Sequence, residues 1–316
     1  MATYLITGIA GFIGSNIARA LLARGESVRG VDNFVTGKRA NLEDLPGIDF
    51  VEGTIEDPAV CACVCKGIDY IFHEAALASV PRSVADPVST NANNVTGTLN
   101  LLVAARDAGV KRIVYAGSSS AYGDQPTLPK QEDMVPDPIS PYAVSKLTGE
   151  QYLRSFSRVY GMETVTLRYF NVFGPHQDPS SQYSGVLAKF SLGMLEGRTP
   201  VIFGDGSQSR DFTFIENVVE ANLAAMHAPA DKVSGKVFNV ATEQRITLND
   251  AVNILRELTG YTGPVEYAPP RTGDIAHSLA DISRARAAFG YAPKVDFHEG
   301  IRRTLNWYRG LTAAVR

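Results

Sequence analysis

The chain has 316 residues, 45% of them hydrophobic and 20% charged, with a formal net charge of −3. That balance suits a large folded α/β unit with an embedded lobe, not a disordered or fibrous chain. It offers no basic block for nucleic acid or an anionic membrane surface, and no apolar run near the ~20 residues that span a bilayer.

The first element, "YLITG" at residues 4–8, reads as a strand. No signal-peptide layout precedes it, so a cytoplasmic location is expected. An amphipathic helix follows over 12–25, then strands over 27–33, 48–53 and 68–76. Between the last two, "CACVC" reads as a short helix with Cys61 and Cys65 on one face and Cys63 elsewhere. Buried, reduced, structural thiols are expected there, and no metal site. A long helix is predicted over about 87–108, a strand over 112–119, a second long helix over 141–160 and a strand over 163–171. This βα alternation predicts a doubly wound, Rossmann-like parallel sheet covered on both faces.

After Asn171 the texture turns loop-rich, which predicts a smaller mixed α/β substrate lobe. The run at 236–241 reads as a strand returning to the main sheet. The expected division is therefore interleaved: 1–171 with that strand, and mainly 172–316.

"TGIAGFIG" places Gly8, Gly11 and Gly14 between the first strand and its helix. Such glycines let backbone N–H groups approach a pyrophosphate at a helix N-terminus. Asp32 ends the second predicted strand, where a carboxylate accepts from ribose hydroxyls and repels a 2′-phosphate. The cofactor read from this pattern is NAD in preference to NADP, although Lys38 and Arg39 lie nearby.

Tyr142 and Lys146 in "SPYAVSK" are four residues apart, which puts them on one face of a helix. A Lys cation beside a phenol favours the phenolate. The serine run Ser118–Ser120 ends a predicted strand at the sheet edge where such folds bind ligands. The alternatives are an exposed helix face and a polar turn. Strand-edge hydroxyls, the Tyr–Lys pair and the glycine cradle together favour a proton relay beside a nicotinamide.

The motifs "TGIAGFIG", "VDNFVTG", "HEAA", "NNVTGTLN", "SSSAYGD", "SPYAVSK", "LRYFNVFGP", "GDGSQSRDF" and "RTGD" occur in this order along nearly the whole chain. In them the chain resembles the extended short-chain dehydrogenase/reductase family, in particular its nucleotide-sugar epimerases. The resemblance implies that Tyr142 takes the proton of a sugar C4 hydroxyl while hydride leaves for NAD. It implies that Lys146 binds the nicotinamide ribose and lowers the Tyr142 pKa. Ser118 is the implied bridging hydroxyl, with Ser119 as the alternative. Phe12, Ile13, Asn33, Thr36, Gly37, Ile55, Ala75, Ala76, Leu77, Asn93 and Phe170 are implied cofactor contacts. Thr54 stands where the family usually carries Asp; Asp57 is a candidate substitute.

On the substrate side the resemblance implies that Arg210 and Arg271 clamp the diphosphate of a UDP-sugar. Asp274 would accept from a ribose hydroxyl, Asn171 would contact phosphate or sugar, and Val201 and Phe203 would lie along the uracil. Ser79, Ala78, Ser119, Gly185 and Val186 belong to the implied sugar wall. Ser278 occupies a position where relatives restricted to plain hexoses carry a bulky Tyr. The expected activity is 4-epimerisation of UDP-N-acetylglucosamine, with plain UDP-glucose as the alternative substrate. A decarboxylase or dehydratase fits less well, because serines stand where those relatives place an acid beside the first hydroxyl. A catalytically idle NAD-binding regulator is the non-enzyme alternative. The two long helices resemble a pair that forms a four-helix homodimer interface in relatives.

Overall fold

The computed structural model describes residues 2–179, 185–270 and 276–314. The first half comprises β1 (Thr3–Thr7), α1 (Phe12–Ala23), β2 (Ser27–Asp32), β3 (Asp49–Glu52), α2 (Pro58–Val64), β4 (Tyr70–His73), α3 (Val80–Ala85), α4 (Pro87–Asn91), α5 (Gly97–Asp107), β5 (Arg112–Ser118), α6 (Pro141–Tyr160) and β6 (Glu163–Tyr169). The second half comprises β7 (Val172–Phe173), α7 (Val186–Leu195), β8 (Val201–Phe203), β9 (Ser209–Arg210), β10 (Thr213–Phe214), α8 (Ile215–His227), α9 (Ala230–Val233), β11 (Lys236–Val240), β12 (Ile246–Thr247), α10 (Leu248–Thr259), β13 (Glu266–Ala268), α11 (Ser283–Phe289) and α12 (Phe297–Ala314).

Seven parallel strands form the main sheet in the order β11-β6-β5-β4-β1-β2-β3. The central strands are apolar almost throughout because both faces are covered. Alternate residues feed two cores. Tyr4, Ile6, Phe72, Val114 and Leu167 pack on the side of α1 and α8. Leu5, Val31, Ile71, Ile113 and Tyr115 pack on the side of α2, α5 and α6. Each such side chain contributes about 1.5–3 kcal/mol relative to exposure. The order in which strands are added reverses between β1 and β4, which opens a crevice at their carboxyl ends.

β11 lies at the sheet edge, paired with β6 from Lys236–Val165 to Val240–Tyr169. Beyond the sheet, β8 pairs with β13, β9 with β12, and β7 with β10. No helix among the described residues is long and apolar enough to cross a membrane. The cysteines fall as their helical spacing requires: Cys61 and Cys65 are buried, Cys63 is exposed, and burial pushes both buried thiols up to about 12.

The single helix predicted over 87–108 needs correction. The helical stretch begins at Val80 and is interrupted at Asp86, whose carboxylate caps α4 by accepting from Ser89 N at 3.0 Å. A widened π-turn over Ala92–Thr96 then separates α4 from α5. The extra residue in that turn changes which side chains face inward, and such turns recur at functional sites.

Candidate active site

A cavity of about 550 Å³ opens at the crevice between β1 and β4. A smaller one of about 40 Å³ shares its Gly8, Asp32 and Ala75 wall. Gly8, Gly11, Phe12, Ile13, Gly14, Asp32, Thr36, Gly37, Ala75, Ala76, Tyr142 and Lys146 line the larger cavity. Asn33, Thr54, Ile55, Leu77 and Asn93 line the smaller. Phe170 is the exception. Its side chain is fully buried and packs on the Tyr122 ring, while its neighbour Tyr169 lines the cavity.

The cradle leaves no room for side chains at two of its glycines. Gly8 adopts φ 70°, and a Cβ there would come 2.8 Å from the Ala75 backbone. At Gly14 it would come 2.3 Å from the Gly8 carbonyl oxygen. The N-cap of α1, Gly11, makes no side-chain cap, so the first-turn amides keep the free donors that suit a pyrophosphate.

Asp32 is fixed by the Ala10 and Phe34 amides, which donate to its two carboxylate oxygens at 2.9 and 2.8 Å. Burial pushes its pKa up against those bonds. The two nearby cations are both engaged. Arg39 donates to Glu52 at 2.7 Å and lies 4.0 Å over the Phe34 ring, and Lys38 pairs with Asp178 at 2.7 Å. With a carboxylate at the ribose position and its basic neighbours paired, these residues fit NAD. Thr54 accepts from Glu56 N at 3.2 Å. Asp57, the candidate substitute, is the N-cap of α2, accepting from Ala59 N at 2.8 Å. The π-turn points Asn93 at the smaller cavity and lets Asn94 accept from Leu77 N at 2.8 Å and donate to Ser145 Oγ at 3.0 Å. Sequence periodicity missed Asn94, because a continuous helix would have turned it elsewhere.

α6 carries the proton-handling pair. Ser140 accepts from Ala143 N at 3.2 Å, Pro141 fills the first turn, and Gly161 ends the helix in the left-handed region. Lys146 is 4% exposed, donates to Ala116 O at 2.9 Å and lies 4.9 Å from the Tyr115 ring centroid. Burial pushes its amine down to about 8, opposed by the charge of Glu74. Ser118 stands close enough to Tyr142 to oppose the upward shift of its phenol. Ser120 Oγ in turn donates to Ser118 Oγ at 2.8 Å, and Ser119 begins the turn that follows β5. The expectation that Lys146 lowers the Tyr142 pKa is not met here. Burial pushes the phenol up, and Ser118 is the group opposing it.

Sequence reasoning also missed Glu74. It is the carboxylate of "HEAA", one residue past β4, and it lines the cavity with Tyr142, Lys146 and Tyr169. Tyr169 donates to its Oε1 at 2.9 Å. Its neighbour His73 is a neutral strut. Thr98 donates to Asn94 O, so His73 Nε2–H donates to Thr98 at 2.8 Å and Thr7 donates to Nδ1 at 2.7 Å.

The substrate-side residues are more dispersed. Ser79 and Ala78 line the larger cavity. Asn171 Nδ2 donates to Asp211 O at 3.0 Å and to Ser278 Oγ at 3.2 Å. Ser278 N donates to Ser209 O at 3.0 Å, which lays its segment beside β9. Arg210 Nη1 donates to the Ser209 and Ala276 carbonyls at 2.9 and 3.2 Å. Val201 and Phe203 lie on β8, and Gly185 and Val186 start α7. Arg271 and Asp274 lie outside the described residues.

Residues 4–241 match the model of the NAD dependent epimerase/dehydratase family. The UDP-glucose 4-epimerase of Mycolicibacterium smegmatis is 40% identical over 96% of this chain and 98% of its own length. The UDP-glucose 4-epimerase of Thermotoga maritima, solved with UDP-glucose, superposes with a TM-score of 0.94 at 38% identity, covering 98% of this chain and 99% of that one. The UDP-N-acetylglucosamine 4-epimerase of Methanobrevibacter ruminantium, solved with UDP-N-acetylmuramic acid, gives 0.92 at 39% identity with the same coverage. Cradle, ribose carboxylate and Ser–Tyr–Lys set thus coincide with the match: this chain belongs to the NAD dependent epimerase/dehydratase family.

Proposed function

We propose that this isomerase, an NAD-dependent UDP-sugar 4-epimerase, interconverts UDP-N-acetylglucosamine and UDP-N-acetylgalactosamine through a transient 4-keto sugar. The observation that supports the acetylated substrate is the serine at position 278. Its small side chain is tied to Asn171 and receives the Asp211 amide at 3.4 Å, so no ring occupies that place. A small side chain at this position suits a 2-acetamido group better than a Tyr ring would.

Bound NAD would supply the acceptor for the C4 hydride and, when oxidised, a positive charge that favours the Tyr142 phenolate. Gly8, Gly11 and Gly14 would admit its pyrophosphate, and Asp32 its adenosine ribose. Tyr142 Oη takes the C4 hydroxyl proton as the C4–H bond breaks and the carbonyl forms. Ser118, placed near the phenol, offers a hydroxyl that can steady that oxygen pair. Lys146, anchored on the Ala116 carbonyl, supplies the cation beside the ribose. After the keto sugar turns its other face, C4 would take hydride back from the reduced cofactor while Tyr142 gives the proton back to the C4 oxygen, and the two together complete the inversion. Arg210 and Arg271 act on the diphosphate, whose charge suits guanidinium forks.

The test is proton NMR of the protein with UDP-N-acetylglucosamine, UDP-glucose and UDP-glucuronate in separate tubes. The galacto-configured acetylated product is expected to grow. Ser278→Tyr is expected to slow that conversion at least about 10-fold and to spare UDP-glucose, the size expected when a pocket is filled. Conversion of UDP-glucose or UDP-glucuronate alone would overturn the acetylated reading and leave the epimerase.

We also propose a homodimer through α6 and the segment from α3 to α5. Val80, Val84, Val88 and Val144 are all exposed on these helices, a density of apolar side chains that a solvated face seldom carries. Sedimentation at micromolar concentration should give twice the mass of one chain. A single-chain mass at that concentration would remove the proposal.

A further inference from the structure

The proton-relay reading uses Lys146 as a cation, yet little around that amine stabilises a charge. On β5 it has one carbonyl, Ala116 O, and the Tyr115 ring. On β4 His73 is held neutral by its two threonines, and burial together with Lys146 pushes it down to about 3. On its own helix Tyr142 is a phenol raised by burial, and Glu150 is committed to Arg168. At the end of β6, Tyr169 is raised well above its ordinary value and stays neutral. Of the other carboxylates on the cavity, Asp32 is taken by backbone amides at the ribose end and Asp178 is paired with Lys38. Glu74 remains. Its carboxylate accepts from the Tyr169 hydroxyl, which in turn accepts from Asn222 Nδ2, so the carboxylate is fixed in direction without being neutralised.

We propose that Glu74 is a positioning residue whose carboxylate keeps Lys146 an ammonium ion in the loaded site. Bound cofactor would exclude the remaining water from Lys146 and, when oxidised, would add a like charge to the cavity that this amine lines. Both changes favour the neutral amine, and a fixed carboxylate on the wall opposes them. Burial also pushes Glu74 up to about 7, against the pull of Lys146 and the Tyr169 bond, so each charge maintains the other. This inference rests on the catalytic role assigned to Tyr142 and Lys146.

The sign follows directly. Loss of the carboxylate lowers the Lys146 pKa, so the cation disappears earlier as pH rises. In Glu74→Gln the descending limb of the kcat–pH profile is expected to move down by about one pH unit, the shift typical of losing one opposite charge on the same cavity wall. A second readout needs no turnover: acetylation of Lys146 by acetic anhydride, followed by mass spectrometry on NAD-loaded protein without sugar. Its half-maximal pH should fall by the same amount. Glu74→Asp, which keeps the charge, should lie between Glu74→Gln and the parent. If Glu74→Gln does not fold, the Glu74→Asp midpoint decides, and an unmoved value overturns the proposal. An equal loss of activity at every pH, with limb and midpoint unmoved, also overturns it and marks a merely structural residue. An active Tyr142→Phe protein sinks the relay itself. An inactive one with an unmoved Glu74→Gln limb sinks only the role of Glu74.

Discussion

Tyr142→Phe is expected to lower kcat by about 10³-fold or more while the protein still binds NAD. The substitution removes one oxygen and preserves the ring that lines the cavity. The cradle glycines, Asp32 and the Ala116–Lys146 bond are untouched, so cofactor binding by equilibrium dialysis should match the parent. What is lost is the group to which the proposed relay assigns proton exchange with the C4 oxygen. A positioned acid or base is typically worth 10²–10⁴-fold, about 3–5 kcal/mol of barrier. Ser118 cannot replace it, since a hydroxyl at its ordinary pKa is a poor base at neutral pH. Parent-level turnover in Tyr142→Phe would refute the proton relay.

Glu150→Gln should be the most destabilising conservative change. Arg168 and Glu150 side chains are 1% and 5% exposed and form a two-pronged pair, Nε to Oε2 at 3.0 Å and Nη2 to Oε1 at 2.8 Å. The guanidinium also rests 4.5 Å from the centroid of the Tyr122 ring. Tyr122 donates to Asn239 at 2.7 Å, which connects the pair to the edge strand β11. Gln keeps the shape and removes the charge. Arginine cannot escape by losing its proton. Breaking one side of a buried pair costs about 3–5 kcal/mol, a large part of the 5–15 kcal/mol that holds a typical domain. Urea midpoints should fall accordingly. The double change Glu150→Leu with Arg168→Met should recover much of the loss, because apolar replacements of similar volume leave no stranded charge. A midpoint for Glu150→Gln within about 0.5 kcal/mol of the parent, the size of an ordinary surface substitution, would show that the pair is screened.

The parts of this protein legible in sequence are those settled within a few residues. α6 starts and stops at Pro141 and Tyr160 as predicted, because Ser140, Pro141 and Gly161 satisfy or end its backbone locally. The apolar strand runs and the glycine triplet with Asp32 are equally local, and they were enough to expect the doubly wound sheet and its cofactor. What the tertiary structure decided involves partners far along the chain. The π-turn over Ala92–Thr96 accompanies Asn94 bonding Leu77 and Ser145, one of them 51 residues away. Lys38 could be assigned away from a 2′-phosphate only when Asp178 was found beside it. Tyr169, not Phe170, faces the cavity because the register of β6 against β5 and β11 sets which residue turns inward. Whether Glu74 is a surface acid or the counter-charge of Lys146 depends on two strands and a helix meeting at one edge. A periodic pattern records which way a side chain points from its own element. It does not record what covers that side chain or stands opposite it, and burial first, then the facing groups, shifts the pKa of Tyr142, Lys146 and Glu74.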